Sequence, residues 1–191
     1  MAKGFNNRFG AARGQPRPTK IPAKARFTAF TIKYEGLVDK IVIPLGLTLP
    51  FDPNDYPLGN FPYSPINKFA LWDTGASGSF LTAATVRELN LVPTGTRTIN
   101  HAAKTGEINT FESNTYIVNL FLPNHVIIYG AIVCECEDIA GNVGAIIGMD
   151  VITRGDFSIT NVDQKTWVSF RAPSMHPIDY VEQHNRLTKR K

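Results

Sequence analysis

Cysteine is scarce: the 191 residues include two, Cys134 and Cys136, with one residue between them. That spacing excludes a disulfide framework and a zinc centre, both of which need more sulfurs or further ligands. It suits alternate positions on one face of a strand. The four histidines, His101, His125, His176 and His184, stand at no metal-ligand spacing from one another, so no metal and no cofactor is expected. Long apolar runs are missing too. The longest uncharged stretch near the middle, Ile41 to Phe51, is broken by Pro44, Gly46 and Pro50, which excludes a membrane-spanning helix there. No apolar segment follows the basic N-terminus, so no secretory signal is read and a reducing cytoplasm is the expected setting. Gly141 to Gly148 lacks the Lys of a phosphate loop. Ser77 and Ser79 have no His and Asp partners evident in sequence, which argues against a Ser triad.

Acids are absent from residues 1–26, where seven Lys and Arg give +7; residues 171–191 carry +3, leaving the middle at −6 within a net charge of +4. The expected organisation is a basic N-terminal arm over 1–25, one domain over 26–172 and a basic C-terminal tail over 173–191. Such arms suit acidic or nucleic-acid partners, or are solvated extensions. Hydrophobic residues make up 43% of the chain and charged ones 19%, enough for a folded core.

What the sequence does hold is β pattern. RFTAFTIKYEG alternates as a half-buried strand does, and DKIVIPLGLTLP reads as a second. Residues 51–67, with Pro53, Pro57, Pro62 and Pro65, read as a loop. FALWD is a short buried strand. TAATVRELNL is helical: Thr82 can cap it, Val86 and Leu89 share a face, and Pro93 stops it. TRTINHAA, INTFESNTYIVNLFLP and HVIIYGAIVCECED follow as strands, with turns at Thr105-Gly106 and Pro123-Asn124. NVGAIIGMDVIT reads as strand, glycine turn and short helix; GDFSITNVDQKTWVSFRAP reads as a hairpin turning near Asp163-Gln164. The tail beyond Pro173 shows little period. Short strands with frequent turn signals predict a mostly β barrel or sandwich.

Within that pattern, LWDTGASGSFLT places Asp73 between a buried strand and a glycine. Asp-Thr-Gly alone is ordinary turn chemistry. The context adds to it: Ala76, Ser77, Gly78 and Ser79 are small enough for another backbone to approach, and Phe80 and Leu81 bury the chain again. A carboxylate in that apolar setting is costly to desolvate unless something compensates it. Further on, AIIGMDVITRGDFSIT carries a second signal, two aliphatic residues followed by Gly148.

Together the two blocks resemble the retropepsin-like aspartic proteases over about residues 27–170. The resemblance implies a mostly β, closed-barrel acid-protease fold with one or two short helices. It implies that Asp73 is the catalytic aspartate, that Thr74 bonds across to a partner loop, and that the dyad leans on the Gly75 backbone. Ala76 and Ser77, with Ile147 and Gly148, would border the substrate, and Gly148 would let one strand pass beneath the catalytic turn. The hairpin from His101 to Phe111, tipped by Lys104, Thr105 and Gly106, occupies the place of the substrate-covering flap. Met149 and Asp150 stand where viral members often carry Arg followed by Asn or Asp, and the chain continues through TWVSFRAP. These features look more like a cellular or bacterial member than a mature viral enzyme.

The chemistry implied uses two carboxylates sharing one proton, one acting as base on water and the other as acid toward the scissile carbonyl. The sequence holds one Asp-Thr-Gly and no Asp-Ser-Gly. An active enzyme of this kind is therefore a homodimer with Asp73 from each copy on the two-fold axis, acting on a polypeptide. Ala76 has no hydroxyl to offer the carboxylate, so activity is expected in mildly acidic to near-neutral solution. The alternative is a catalytically silent dimer that binds peptide, or binds nucleic acid through its basic arms.

Overall fold

The computed structural model describes residues 27–56, 60–102, 108–139 and 141–188. The basic arm expected over 1–25 lies outside them, as do Lys104, Thr105 and Gly106. Ten strands dominate, with three short helices and two turns of 3-10 helix.

The first strand, β1 (Thr28–Lys33), belongs to a small sheet described below. The barrel starts at β2 (Ile41–Thr48), where Ile43, Leu45 and Leu47 alternate into the interior at 1% exposure or less. It continues with β3 (Ile66–Trp72) and β4 (Ser79–Thr82). Helix α1 (Ala83–Glu88) begins as expected, with Thr82 Oγ1 accepting from the Thr85 N–H at 3.2 Å. Then come β5 (Gly95–Ala102), β6 (Ile108–Leu122), β7 (Val126–Cys136) and β8 (Ala145–Ile147). Strands β2-β3-β8-β4-β7-β6 are hydrogen-bonded in that order, and β2 pairs back onto β6 through Gly46↔Phe121 to Thr48↔Asn119. That last pairing closes a six-stranded barrel, which leaves its strands no free edges. The fold is mostly β, as the strand pattern predicts.

Closure needs one irregularity. Val118 pairs with Ala131 and Leu120 with Ile128, so two residues of β7 oppose Asn119 alone. Gly130 takes the extra position at φ +60, a conformation that costs glycine little. Asn119, fully buried, accepts from the Gly130 N–H at 2.9 Å. The bulge shifts the phase of β7, so that Val126 and Ile128 before it and Ala131 and Val133 after it all face inward. Burying each aliphatic side chain of this core contributes about 1.5–3 kcal/mol.

Helix α2 (Met149–Ile152) leads into β9 (Asp156–Val162) and β10 (Lys165–Ala172). Asp163 and Gln164, both at positive φ, make the two-residue turn of this hairpin. β1, β10 and β9 form a three-stranded antiparallel sheet in that order. Trp72 joins this sheet to the barrel. Its ring stacks on Phe157 at 5.2 Å and meets Phe30 and Phe170 edge-on at 5.8 and 5.3 Å.

The C-terminal tail, read as lacking period, instead ends in helix α3 (Tyr180–Thr188). Asp179 caps it: its side chain accepts from the Glu182 N–H at 2.9 Å. Among the described residues, no helix is long and apolar enough to cross a membrane.

Candidate active site

Asp73 follows the last residue of β3, where the chain leaves the barrel wall. Its backbone N–H donates to Ile147 O at 2.9 Å, and its carbonyl accepts from the Ala76 N–H at 3.2 Å, closing a tight turn. The Gly75 N–H donates to Asp73 Oδ1 at 2.8 Å and fixes the carboxylate's orientation. This is the turn chemistry of Asp-x-Gly.

What lies beneath the turn is less ordinary. β8 runs between β3 and β4, parallel to the first (Ala70↔Ala145 to Trp72↔Ile147) and antiparallel to the second (Phe80↔Ile146, Leu81↔Ala145). Two strands joined by the Asp73 turn are thus separated by a third that arrives some seventy residues later. To cross there, β8 must pass against the turn's own backbone. Gly148 makes that possible: a Cβ at this position would sit 2.3 Å from Gly78 O and 2.9 Å from Ala76 O. The contact is held by Met149 N–H donating to Ala76 O at 2.8 Å.

A polar clasp secures the crossing. Ser79, 1% exposed, donates from Oγ to Asp150 Oδ1 at 2.7 Å and from its N–H to Asp150 Oδ2 at 3.0 Å. The same Oγ accepts from the Gly148 N–H at 3.0 Å. Both carboxylate oxygens of Asp150 are used, which compensates its partial burial. Asp150, on the short helix expected after Gly148, and Ser79, for which no His and Asp partners are evident in sequence, are the positioning pair of the turn. The signal available was an acid two residues beyond Gly148 and a Ser four residues beyond Gly75. No histidine completes a triad with them among the described residues.

Asp73 is half-exposed, not enclosed, in the single chain, and Thr74, Gly75 and Ser77 are exposed around it. The apolar setting expected for Asp73 lies beneath it, in Trp72, and not around its carboxylate. Ala76 is half-buried, with its carbonyl committed to Met149. Ile147 is 1% exposed; it serves the site through its carbonyl, and its side chain belongs to the core. β5 and β6 form the hairpin of the expected flap, paired as far as Ala102↔Ile108, and its tip lies outside the described residues. A cleft of ≈ 340 Å³ opens beside Asp73, lined also by Thr74, Trp72, Phe157, Ile159, Asp39 and Lys40.

Other titratable groups are structural. Cys134 and Cys136 are free thiols on β7. Burial, then Asp138 and Glu135, push the Cys136 thiol up to about 11, so it is protonated and unreactive at neutral pH. Burial raises Asp156, but the Ser174 hydroxyl, the Arg171 guanidinium and the Met175 N–H together hold its carboxyl below the usual range. No group of three or more His, Cys, Asp and Glu side chains able to hold a metal occurs among the described residues.

No protein-family model and no curated protein sequence matches this chain. Among solved structures, the crystal structure of a retropepsin-like aspartic protease from Rickettsia conorii is similar with a TM-score of 0.42 and 12% identity, over 78% of this chain and 98% of that one.

Proposed function

We propose that this chain is an aspartic endopeptidase that hydrolyses peptide bonds as a homodimer. The observation that carries the reading is the turn itself. A carboxylate oriented by a backbone N–H sits on the tip of a strand crossing that exists because of a glycine and a Ser–Asp clasp whose Ser is buried. A simple surface turn has no need of that support, whereas a carboxylate that must meet another within a hydrogen bond's length does.

Asp73 in one chain is a single, half-exposed carboxylate, so the second carboxylate of this reading comes from another copy. With two copies, the Asp73 pair shares one proton, because two carboxyls that close cannot both ionise. The ionised member takes a proton from a water held between them. The protonated member donates to the scissile carbonyl oxygen as the water oxygen attacks the carbon, giving a tetrahedral diol. On collapse the carbon–nitrogen bond breaks, the protonated member gives its proton to the leaving amine, and a diol hydroxyl gives one to the ionised member, so the pair again holds one proton. In this reading Thr74, exposed beside Asp73, bonds across to the other copy. The substrate lies extended over the pair and beneath the β5–β6 hairpins, held by main-chain hydrogen bonds as an added strand.

Cleavage of a diverse peptide library across pH, wild type beside Asp73→Ala, tests the reading. The expected result is cleavage lost in the variant with its thermal unfolding little changed. Equal cleavage by a pure Asp73→Ala preparation would sink it.

A further inference from the structure

Arg97 stands on β5, the first strand of the hairpin that covers the substrate in this reading, opposite Ser113 of β6. The residue is exposed, yet its guanidinium lies back against the protein. Its Nη1 is 3.6 Å from where a Cβ on Gly78 would stand, and Gly78 is buried in the segment by which the chain leaves the Asp73 turn. The same guanidinium faces the Cys134 thiol on β7: burial raises that thiol, and Arg97 beside it works against the rise. Arg97 thus reaches from the hairpin to the floor of the site and forms part of the wall between them.

No carboxylate answers its charge among the described residues. The ion pairs there are Lys68–Glu88, Lys165–Glu35, Arg171–Asp156 and Arg186–Glu182, and Arg97 belongs to none of them. Its neighbours do not supply a partner either. Gly78 has no side chain, Cys134 is a thiol, and both carboxylate oxygens of Asp150 are held by Ser79. A guanidinium in this position keeps a planar fork of N–H donors that matches a carboxylate in shape and in charge.

Resting on the aspartic-protease reading, we propose that Arg97 is a specificity-determining residue that selects polypeptides carrying an acidic side chain away from the scissile bond. The scissile bond lies over Asp73, and Arg97 is set back from it. It stands five residues before Ala102, whose pair with Ile108 is the last described in the hairpin, about 17 Å along the strand. The contact therefore falls on a substrate side chain some residues from the bond that is cut. Main-chain pairing holds any extended peptide there; Arg97 adds a preference among them, attracting Asp or Glu and repelling Lys or Arg. The active species of this reading has two-fold symmetry, so one Arg97 stands toward each end of the substrate. Preferred sequences carry an acid on both sides of the cleaved bond.

The test is cleavage of a peptide library in which each position is Glu, Gln or Lys in turn, by wild type, Arg97→Ala, Arg97→Lys and Arg97→Glu. Wild type should prefer Glu over Gln on the order of fivefold in kcat/KM at one position on each side of the bond. The preference should sit in KM and shrink as salt rises. Arg97→Ala should abolish it, Arg97→Lys should keep most of it, and Arg97→Glu should turn it toward Lys, a reversal that lost stability alone cannot produce. Wild-type cleavage indifferent to Glu, or a Glu preference that Arg97→Glu leaves unchanged, overturns the role of Arg97 and leaves the aspartic reading intact. Fluorescence anisotropy of labelled Glu-bearing and Lys-bearing peptides on Asp73→Asn reads the same contact without cleavage. Tighter binding of the Glu peptide that disappears when Arg97→Ala is added supports the contact even if wild type cleaves nothing, a result that overturns the aspartic reading instead. Equal binding of the two peptides overturns the contact.

Discussion

Gly148→Ala should damage this protein far more than the addition of one methyl group suggests. The new Cβ would lie 2.3 Å from Gly78 O, 2.6 Å from Gly78 C and 2.9 Å from Ala76 O. All three are backbone atoms, so no rotamer change relieves the clash. Comfortable separations are about 3.5 Å, so β8 and the Asp73 turn must part by roughly 1 Å. Overpacking of this kind costs about 1–3 kcal/mol. The movement also stretches the Met149 N–H bond to Ala76 O and the Gly148 N–H bond to Ser79 Oγ, each worth about 0.5–1.5 kcal/mol. The total comes to about 2–6 kcal/mol, a large share of the 5–15 kcal/mol typical of a domain. Urea unfolding measures it, with Gly36→Ala as the control, since a Cβ there meets nothing within 4 Å. Cleavage should fall with stability, because Asp73 hangs from Ile147, next to the displaced residue. Gly148→Ala within about 0.5 kcal/mol of wild type, with cleavage intact, would refute the crossing as the support of the carboxylate.

Two further outcomes follow from the titratable groups. Asp156 has its carboxyl held below the ordinary range in the folded state, so its contribution is present above that range and is lost as pH falls through the folded value. Asp156→Asn should therefore cost about 1–3 kcal/mol near neutral pH, with the gap closing in strongly acidic urea titrations; a gap constant with pH contradicts this. Cys136, at about 11, and buried Cys134 should resist iodoacetamide at neutral pH until the chain is unfolded, as mass spectrometry of labelled native and denatured protein would show. Rapid native labelling contradicts it.

Much of the barrel is written in alternation. Ile43, Leu45 and Leu47 reveal the interior face of β2, and Thr82 reveals the start of α1, because each obeys a local rule. The Asp73 turn and Gly148 are legible for a different reason: each sits in a short block of small and apolar residues with few other physical readings. What sequence could not supply was the pairing between distant segments. Asp150 is a plain acid in a short helix until β8 brings it against Ser79. Helix α3 was missed because none of its residues is buried, so burial wrote no period into it. Asp179 followed by Glu182 three residues later was the one local trace, a cap signature. Nor does alternation show that Asn124, nearly a hundred residues away in sequence, donates from its side chain to Ala29 O of β1.

The two-carboxylate mechanism is tested most directly by mixing. Wild type and Asp73→Asn are unfolded together in equal amounts and refolded, so that copies pair at random, and cleavage per total wild-type chain is compared with wild type refolded alone. If each site needs both carboxylates, half of the wild-type chains end in dead mixed dimers and the activity per wild-type chain falls to about one half. Activity per wild-type chain that stays unchanged on mixing would mean that one Asp73 suffices, and would contradict the shared-proton dyad.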